Sequence, residues 1–563
     1  MDFKKQVVEA LTKVLPDEIT EEQVTKLIEK PKTSDLGDYA FPTFILAKSL
    51  HKNPKVIAEE LVGQIDTDGF EKVVNTGAYI NFFLDKKAFS ENVIKEVLDQ
   101  KENYGNDDLG KGRNVPIDMS SPNIAKPMSM GHLRSTVIGN SIANIIKKLN
   151  YQPVKINHLG DWGTQFGKLI VGYKMWGSVE EVEADPINNL LKYYVRFHKE
   201  AEEKPELDDE ARAWFKKMED GDEEALALWT WFKELSLKEF QTIYDRLGVE
   251  FDHFTGESFY NDKMDAIVKT LEDKNLLEES RGAEIVDLSQ YDLSPALIKK
   301  TDGATLYITR DLAAAKYRKD TFDFVKSLYV VGSEQAEHFT KLKIVLKKMG
   351  YDWADDIVYI PFGLITTGGK KLSTRKGNVI LLDDVLNDAV KLAKKQIEEK
   401  NPNLKNKDAV AEAVGVGAVV FHDLKNDRRD SFDFNLEEVV RFEGETGPYV
   451  QYTNARALSI LRKADVDYSN ADSFAITDGE AWDTLKMLAD FPNVIQRAAN
   501  SYEPSVVAKY VLKLAKSFNQ YYAHSRILND DEGLKARLGL VKSVSTVLQM
   551  SLALLGVKAP EEM

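Results

Sequence analysis

The sequence predicts an α/β protein organised around a parallel β-sheet, with a small α+β unit before the sheet and an all-α helical bundle after it. Three observations predict this fold class. Strand, loop and helix patterns alternate through the middle of the chain, mixed patterns occupy the first 110 residues, and strand patterns stop after about residue 440. The 563 residues suit about three domains, at roughly 100 to 200 residues each, which we place at 1–110, 111–440 and 441–563.

The first 110 residues are expected to form a separate unit. Residues 4–15 place apolar side chains at helical spacing, and the segment AYINFFL at 78–84 is typical of a strand. These two patterns together predict a small α+β domain.

The middle of the chain repeats one order of elements three times. Residues 114–149 pass from period-2 alternation through SSPNIAKPMSMG to helical spacing, residues 154–156 run into NHLGDWG and a helix, and residues 327–331 run into GSEQ and a helix. Such alternation is typical of a parallel sheet, in which ligands bind beyond the carboxyl ends of the strands. We therefore expect a Rossmann-like domain with its three loops at one edge. The interval at about 178–300 is too long for a crossover and predicts a helical insertion.

Charge is distributed unevenly along the chain. The net charge is -16, which argues against a protein that simply coats nucleic acid or an anionic membrane. From Glu180 to Glu224 there are 16 acids and 7 bases, a net charge of -9, and we expect a solvated insertion that faces away from any polyanion.

The segment after residue 440 predicts amphipathic helices, among them TNARALSILRKA and SVVAKYVLKLAKSF, and hence a helical bundle. Residues 505–529 contain no acid, and Lys509, Lys513 and Lys516 recur on a helical pattern. This basic face is either a nucleic-acid contact or a solvated helix surface.

Several classes of protein and site are excluded. The chain has no cysteine, so disulfides, thiolate nucleophiles and cysteine-based zinc sites are absent and a reducing cytoplasm is expected. The eight histidines lie at least 26 positions apart, which rules out a helical metal-binding pair. No secretion signal or membrane span is expected. The segment GLITTGGKK departs from a Walker phosphate loop at its lysine and Ser/Thr positions.

Two loops have the composition of phosphate-binding segments. PMSMGHLRST opens a helix, where backbone N–H groups and the helix dipole favour anions, Gly131 permits close approach, and His132 is a donor or, alternatively, a structural cap. TTGGKKLSTRKGN places Lys370, Lys371, Arg375 and Lys376 between glycines, as in a phosphate clamp or an exposed hairpin.

Together these loops resemble the paired signatures of class I aminoacyl-tRNA synthetases. SSPNIAKP, GHLRST, NHLGDWGTQFG, DGATLYITRDLAAAKYR and EGETGPYVQYTNAR occur in the order and spacing of the arginyl-tRNA synthetase family, along nearly the whole chain. The resemblance implies that arginine attacks ATP to form arginyl-adenylate, and that the arginyl group then passes to the terminal adenosine of tRNA(Arg). It further implies activation that waits for bound tRNA, a monomer, Mg²⁺ bound with ATP, and no metal site on the protein.

The resemblance also implies roles for individual residues. Two positions depart from the family pattern: Ser129 replaces the first histidine of the usual His-x-Gly-His signature, and Thr374 replaces the second lysine of the usual Lys-Met-Ser-Lys-Ser loop. The resemblance implies that Lys126, in the SPNxAK stretch, supplies the missing cation. A guanidinium group, with five donors in a plane, requires carboxylate or carbonyl acceptors. The implied sites are catalytic Lys126, His132 and Lys371; ATP-binding Ser129, Gly131, His132, Lys371, Ser373, Arg375 and Lys376; arginine-binding Asp118, Asn123, Tyr307, Asp311 and Gln335; and tRNA-binding Tyr79, Asn81, Tyr449 and Met563.

Structural alternatives remain for these residues. Asp118 and Asp311 also suit a strand end and a helix cap, and Tyr79 also suits a buried core position. In the implied domain roles, the N-terminal unit binds the tRNA elbow and the C-terminal bundle binds the anticodon, where Tyr521 or Tyr522 could stack on a base.

Two other functions fit parts of the pattern. One is a tRNA-binding paralogue without catalysis, motivated by Ser129 and Thr374. The other is an adenylating ligase for small molecules that uses no tRNA. The N-terminal unit and the helical bundle argue against this second function, because adenylation requires neither of them.

Overall fold

The computed structural model describes residues 3–300, 307–367, 370–371 and 380–563. The chain divides into two compact units. Unit 1 contains the chain up to Tyr104 with Arg456–Phe491 and Leu514–Val547, and unit 2 contains Gly105–Ala455, Pro492–Lys513 and Leu548–Met563. Within the described ranges, no helix combines the length and the apolar character needed to cross a membrane.

Unit 1 begins with a three-stranded antiparallel sheet and the helices that cover it. The strand order is β1-β3-β2, and Phe41, Ile80 and Phe82 are fully buried at its centre. The sheet and helices confirm the small α+β fold expected here. The elements are α1 (Phe3–Thr12), α2 (Glu21–Leu27), β1 (Tyr39–Pro42), α3 (Ala47–Leu50), α4 (Pro54–Val62), β2 (Phe70–Thr76), β3 (Tyr79–Leu84) and α5 (Lys86–Gln100).

Unit 2 contains the α/β domain. Its elements up to residue 440 are β4 (Asn114–Asp118), α6 (Met130–Lys148), β5 (Gln152–Ile156), α7 (Thr164–Trp176), α8 (Val179–Ala184), α9 (Pro186–Glu203), α10 (Glu206–Glu219), α11 (Glu223–Leu247), α12 (Met264–Asp273), β6 (Glu278–Ser280), β7 (Ala283–Val286), β8 (Ala296–Lys299), α13 (Tyr307–Phe322), β9 (Ser327–Gly332), α14 (Ala336–Lys348), β10 (Ile357–Phe362), β11 (Ile365–Thr367), β12 (Lys370–Lys371), α15 (Leu382–Lys400), α16 (Lys407–Lys425), β13 (Phe432–Asp433) and α17 (Leu436–Val439).

The central sheet is parallel throughout, in the order β10-β9-β4-β5. Asp118, the last residue of β4, is in register with Ile156 of β5 and Tyr329 of β9. The loops that follow these three strands therefore leave the same edge. The three predicted strand–loop–helix segments and the parallel sheet are confirmed.

The insertion differs from the sequence prediction in two ways. It contains not only helices but also a three-stranded antiparallel sheet, β6-β7-β8, whose short strands lack a clear alternating pattern. Its acidic helices are also amphipathic rather than uniformly solvated, because α9 buries Leu190, Tyr193 and Phe197. The insertion is thus packed on one side, and it also contacts the loop between β4 and α6.

Long helices form the end of the chain, as predicted. They are α18 (Gly447–Ala464), α19 (Trp482–Ser501), α20 (Ser505–His524) and α21 (Leu534–Leu554). Each contributes residues to both units. The predicted boundaries near 110 and 440 stay predictions.

Candidate active site

Asp118 ends β4 and is buried. Its Oδ2 accepts a hydrogen bond from Arg318 Nη2 at 2.8 Å, and its Oδ1 accepts one from Ser121 Oγ at 3.0 Å. Arg318 is fully buried, and its pKa is raised well above the usual value; burial alone would lower it, but the charge of Asp118 outweighs that effect. The carboxylate thus has a partner within the chain, which favours the strand-end alternative, and guanidinium binding by Asp118 stays a prediction.

The loops after β4 and β5 meet at the carboxyl edge of the sheet. Asn123 and Gly160 form a parallel bridge, in which Ile124 N–H donates to Gly160 O at 3.2 Å. A Cβ atom at position 160 would collide with Asn123 Oδ1 unless that side chain moved, so glycine favours this approach. Asn123 is exposed at this edge.

The start of α6 orients His132. Ser129 N–H donates to His132 Nδ1 at 3.0 Å, so the proton of the neutral ring lies on Nε2. Burial lowers the pKa of His132 to about 4, the hydrogen bond with Ser129 opposes this, and the charge of Lys126 lowers it further. At neutral pH the ring is therefore an uncharged donor. Gly131 is exposed beside it, and a Cβ there would make only an ordinary contact with Ser129 Oγ at 3.5 Å.

Lys126 lies at the same edge and contacts the insertion. Its Nζ is 5.1 Å from the centroid of the Tyr194 ring on α9, a cation–π contact. Burial lowers its pKa from the usual value of 10.5. The expectation that the acidic insertion faces away from the site is therefore wrong for α9, which supplies an aromatic face to the predicted catalytic cation.

The predicted arginine site is centred on Asp311, which lies inside α13 rather than at a helix cap. His338 Nε2 is 2.5 Å from Asp311 Oδ2 and donates to it when the carboxylate is ionised. Tyr307, one turn earlier, is 68% exposed, and Gln335 is exposed in the 3-10 turn before α14. The Asp311 carboxylate, with the exposed polar side chains of Tyr307 and Gln335 nearby in the sequence order of α13 and α14, suits a cationic side chain.

Glu257 is a further acidic residue at this site, one that the sequence analysis did not select. Burial raises its pKa to about 7, the charge of Arg310 opposes this, and the charges of Asp161 and Asp311 raise it further. Its carboxylate also accepts a hydrogen bond from the backbone of Trp162 in the GDWG loop. A half-buried carboxylate that interacts electrostatically with Asp311 is an acceptor that gains from a bound cation. Its only sequence signal is an acid in a short turn, which is too common to select.

The second basic loop is described only at its ends. Lys371 pairs with Thr366 in the backbone of a β11–β12 hairpin. Ser373, Thr374, Arg375 and Lys376 lie outside the described residues. At the far end, Leu382 N–H donates to Met128 O at 2.9 Å, so residues 380–382 lie against the segment that precedes α6.

Comparison with known families decides what kind of site this is. Residues 93–436 match the catalytic domain model of class I tRNA synthetases (R), residues 1–84 match the arginyl tRNA synthetase N-terminal domain model, and residues 450–563 match the DALR anticodon binding domain model. The chain belongs to the arginyl-tRNA synthetase family.

Relatives of this synthetase extend over its whole length. It is 70% identical to the arginine–tRNA ligase of Latilactobacillus sakei subsp. sakei (strain 23K) and 68% identical to that of Ligilactobacillus salivarius (strain UCC118), in each case over 100% of both chains. Among solved structures, Thermus thermophilus arginyl-tRNA synthetase matches with a TM-score of 0.81 and 25% identity, covering 100% of both chains. The Plasmodium falciparum enzyme matches with the same score and identity over 100% of this chain and 99% of its own.

The predicted tRNA-binding residues of this synthetase occupy different environments. Tyr79 is half-buried at the start of β3, with its ring 5.6 Å from that of exposed Phe44. Asn81 is buried, and its Nδ2 donates to Leu36 O at 2.5 Å, so its amide is directed into unit 1. In unit 2, Tyr449 is half-buried in the first turn of α18, and Met563 is buried in an apolar cluster. Tyr79 is therefore partly accessible, whereas Asn81 would need rearrangement to contact a base.

Proposed function

We propose that this synthetase joins arginine to tRNA(Arg) at the carboxyl edge of the parallel sheet. Arginine attacks the α-phosphorus of ATP to give arginyl-adenylate and pyrophosphate, and the arginyl group then passes to the 2′-hydroxyl of the terminal adenosine. The proposal is supported by a neutral imidazole donor and a lysine at this edge, by two acidic residues that interact electrostatically, and by a chain that matches arginine–tRNA ligases from end to end.

Activation by this site requires no covalent nucleophile. His132 donates from Nε2 to a phosphate oxygen, Lys126 neutralises charge that develops on the phosphates, and the α6 N-terminus adds its dipole. Lys371 is assigned a second phosphate contact. Ser129, Gly131, Ser373, Arg375 and Lys376 complete the proposed ATP site.

Mg²⁺ is assigned to the substrate, as MgATP. Among the described residues, no group of three His, Asp or Glu side chains could hold a metal ion. Mg²⁺ in nucleotide sites is bound largely through phosphates, which agrees with a site edge lined by Lys126 and His132.

Arginine is assigned to the pocket of Asp311 and Glu257. These two carboxylates accept the guanidinium fork, with Tyr307 as a further contact. Asn123 and Gln335, both exposed, bind the α-amino end. The family resemblance also assigns Asp118 to the guanidinium group, and its carboxylate accepts hydrogen bonds from Arg318 and Ser121.

The tRNA contacts remain those predicted from the sequence: Tyr79 and Asn81 at the elbow, Tyr449 and Met563 at the anticodon, and Lys509, Lys513 and Lys516 on phosphates. We assign the enzyme to the cytoplasm as a monomer, in line with the family resemblance and a chain without cysteine.

The test compares pyrophosphate release from ATP and arginine, with and without tRNA(Arg), in wild type, Asp311→Asn and Asp320→Asn. Both acids lie on α13, but Asp320 is exposed and pairs with Lys316. Asp311→Asn should raise the arginine KM about 100-fold, from the loss of a largely desolvated charge pair, while Asp320→Asn should leave it unchanged.

Pyrophosphate release that requires tRNA(Arg) and is lost only in Asp311→Asn supports both the reaction and the assignment of arginine to Asp311. Wild-type protein that binds tRNA(Arg) and releases no pyrophosphate would identify a non-catalytic paralogue. Full release and turnover by a chain ending near residue 440 would instead identify a small-molecule ligase.

A further inference from the structure

The loop between β4 and α6 has a strained backbone. Ser120, Ser121 and Ala125 have φ angles of 71°, 51° and 61°, which places three residues with a Cβ in the left-handed region. Such conformations are disfavoured for L-residues, and they persist only where the surrounding structure holds them. The same loop carries Asn123 and Lys126.

Buried side chains hold the first two of these residues. Ser120 N–H donates to Ser135 Oγ at 2.9 Å, and Ser121 N–H donates to Asn157 Oδ1 at 3.2 Å. Ser135 lies on α6 and Asn157 follows β5. Two different elements thus fix the first turn of the loop.

The third strained residue is held from the insertion. Ala125 N–H donates to Ser236 Oγ at 2.8 Å, and both residues are buried. Ser236 lies on α11, and its own hydroxyl proton is donated to Phe232 O at 2.6 Å. The hydroxyl is therefore oriented with its lone pair toward Ala125, and the acceptor role is unambiguous.

The same helix makes a second contact with the loop. Tyr244 OH is 2.7 Å from Ser120 Oγ and accepts a hydrogen bond from Asn157 Nδ2 at 2.9 Å. Burial raises the pKa of Tyr244 to about 12, so it stays protonated at physiological pH. One helix of the insertion therefore braces both ends of the strained segment.

We propose that Ser236 is a positioning residue for catalysis: its hydroxyl holds Ala125 in the left-handed conformation and so places the loop that carries Asn123 and Lys126. Lys126 directly follows Ala125, so a change of φ and ψ at Ala125 redirects the lysine away from its place over Tyr194. This inference rests on the proposed function for what Lys126 does, and on the geometry for how it is held.

The decisive test is rescue by glycine. Glycine adopts positive φ without steric penalty, so Ala125→Gly reduces the need for the Ser236 hydroxyl. Arginine-dependent pyrophosphate release with saturating tRNA(Arg) is measured for Ser236→Ala, Ala125→Gly and the double variant. Ser543→Ala is the control, because Ser543 is also a buried helical serine that donates to the carbonyl four residues earlier, but it lies in unit 1.

Ser236→Ala should lower kcat about tenfold, equivalent to about 1.4 kcal/mol, with the arginine KM within about twofold of wild type. The double variant should have a kcat at least about threefold higher than that of Ser236→Ala. Ala125→Gly alone should have a kcat close to that of wild type. Ser543→Ala should lower only the thermal unfolding midpoint.

An unchanged kcat in Ser236→Ala, or a double variant no more active than Ser236→Ala, would overturn the inference. Lys126→Met tests the underlying function separately. If that variant keeps wild-type kcat, the phosphate role of Lys126 is wrong, and glycine rescue alone then decides whether Ser236 positions the loop.

Discussion

Glu257 provides the most sensitive test of the proposed arginine site, because its pKa is raised from 4.5 to about 7. That difference corresponds to about 3 kcal/mol, at about 1.4 kcal/mol for each tenfold change in proton affinity. A bound guanidinium favours the ionised carboxylate. At pH 6 only about one molecule in ten has Glu257 ionised, so arginine should bind about tenfold more weakly there than at pH 8.

Calorimetry of arginine binding at pH 6, 7 and 8, in two buffers of different ionisation enthalpy, measures both the affinity and the protons released. Wild type should release nearly one proton at pH 6 and almost none at pH 8. Glu257→Gln should bind arginine more weakly at pH 8 and lose most of the pH dependence. Glu250→Gln, at an exposed position, should behave like wild type. A Glu257→Gln variant that keeps the wild-type profile and proton release would refute the assignment.

The same group has a defined effect on folding. The native state holds this proton more tightly than the unfolded chain, so the contribution of Glu257 to stability is lost as the pH rises from about 4.5 to about 7. This is opposite in sign to the effect of a salt-bridged carboxylate. Glu257→Gln should therefore flatten the fall in unfolding midpoint across that range, which thermal melts at several pH values would detect.

Three further substitutions test other parts of the site. Lys126→Met should lower the kcat of pyrophosphate release about 100-fold, because it removes charge that stabilises the transition state, with little change in thermal midpoint. Arg318→Met should destabilise the fold by about 3 to 5 kcal/mol by leaving Asp118 buried without its partner, and Asp118→Asn in the same chain should recover much of the loss in a denaturation titration. Arg246→Met should lower the free energy of unfolding by about 1 kcal/mol in a denaturation titration, because it removes the ion pairs to Glu412 and Asp383, both at 2.8 Å.

The sequence was most informative where structure depends on local periodicity. The alternation in residues 114–118 and the helical spacing from Ile138 onward reflect burial on one face of each element, so β4 and α6 could be predicted along with their loop. The positions of Asn123 and His132 follow from that order, since loops after parallel strands share one edge. The short strands β6, β7 and β8 have no such pattern and were missed.

The rest of the site depends on contacts between distant segments. Glu257 lies in a turn whose local sequence gives no reason to connect it with Asp311. Its pKa is raised only because two parts of the chain pack together and exclude water from the carboxylate. Ser236 is similarly unremarkable in a helical pattern, yet it bonds to Ala125, 111 positions earlier. Pairing of this kind is set by tertiary packing, which periodicity does not encode.

The departure of Ser129 from the family signature has little consequence for the placement of His132. The contact that orients the imidazole is the backbone N–H of Ser129, which any residue other than proline supplies at that position. The surrounding segment is held by another backbone bond, from Leu382 N–H to Met128 O. The serine therefore leaves the orientation of His132 unchanged. Ser129→Ala, which removes only the hydroxyl, should accordingly leave the pH profile of arginine activation unchanged; a displaced profile would mean that the serine hydroxyl, which is 3.2 Å from His132 Nδ1, controls the ring after all.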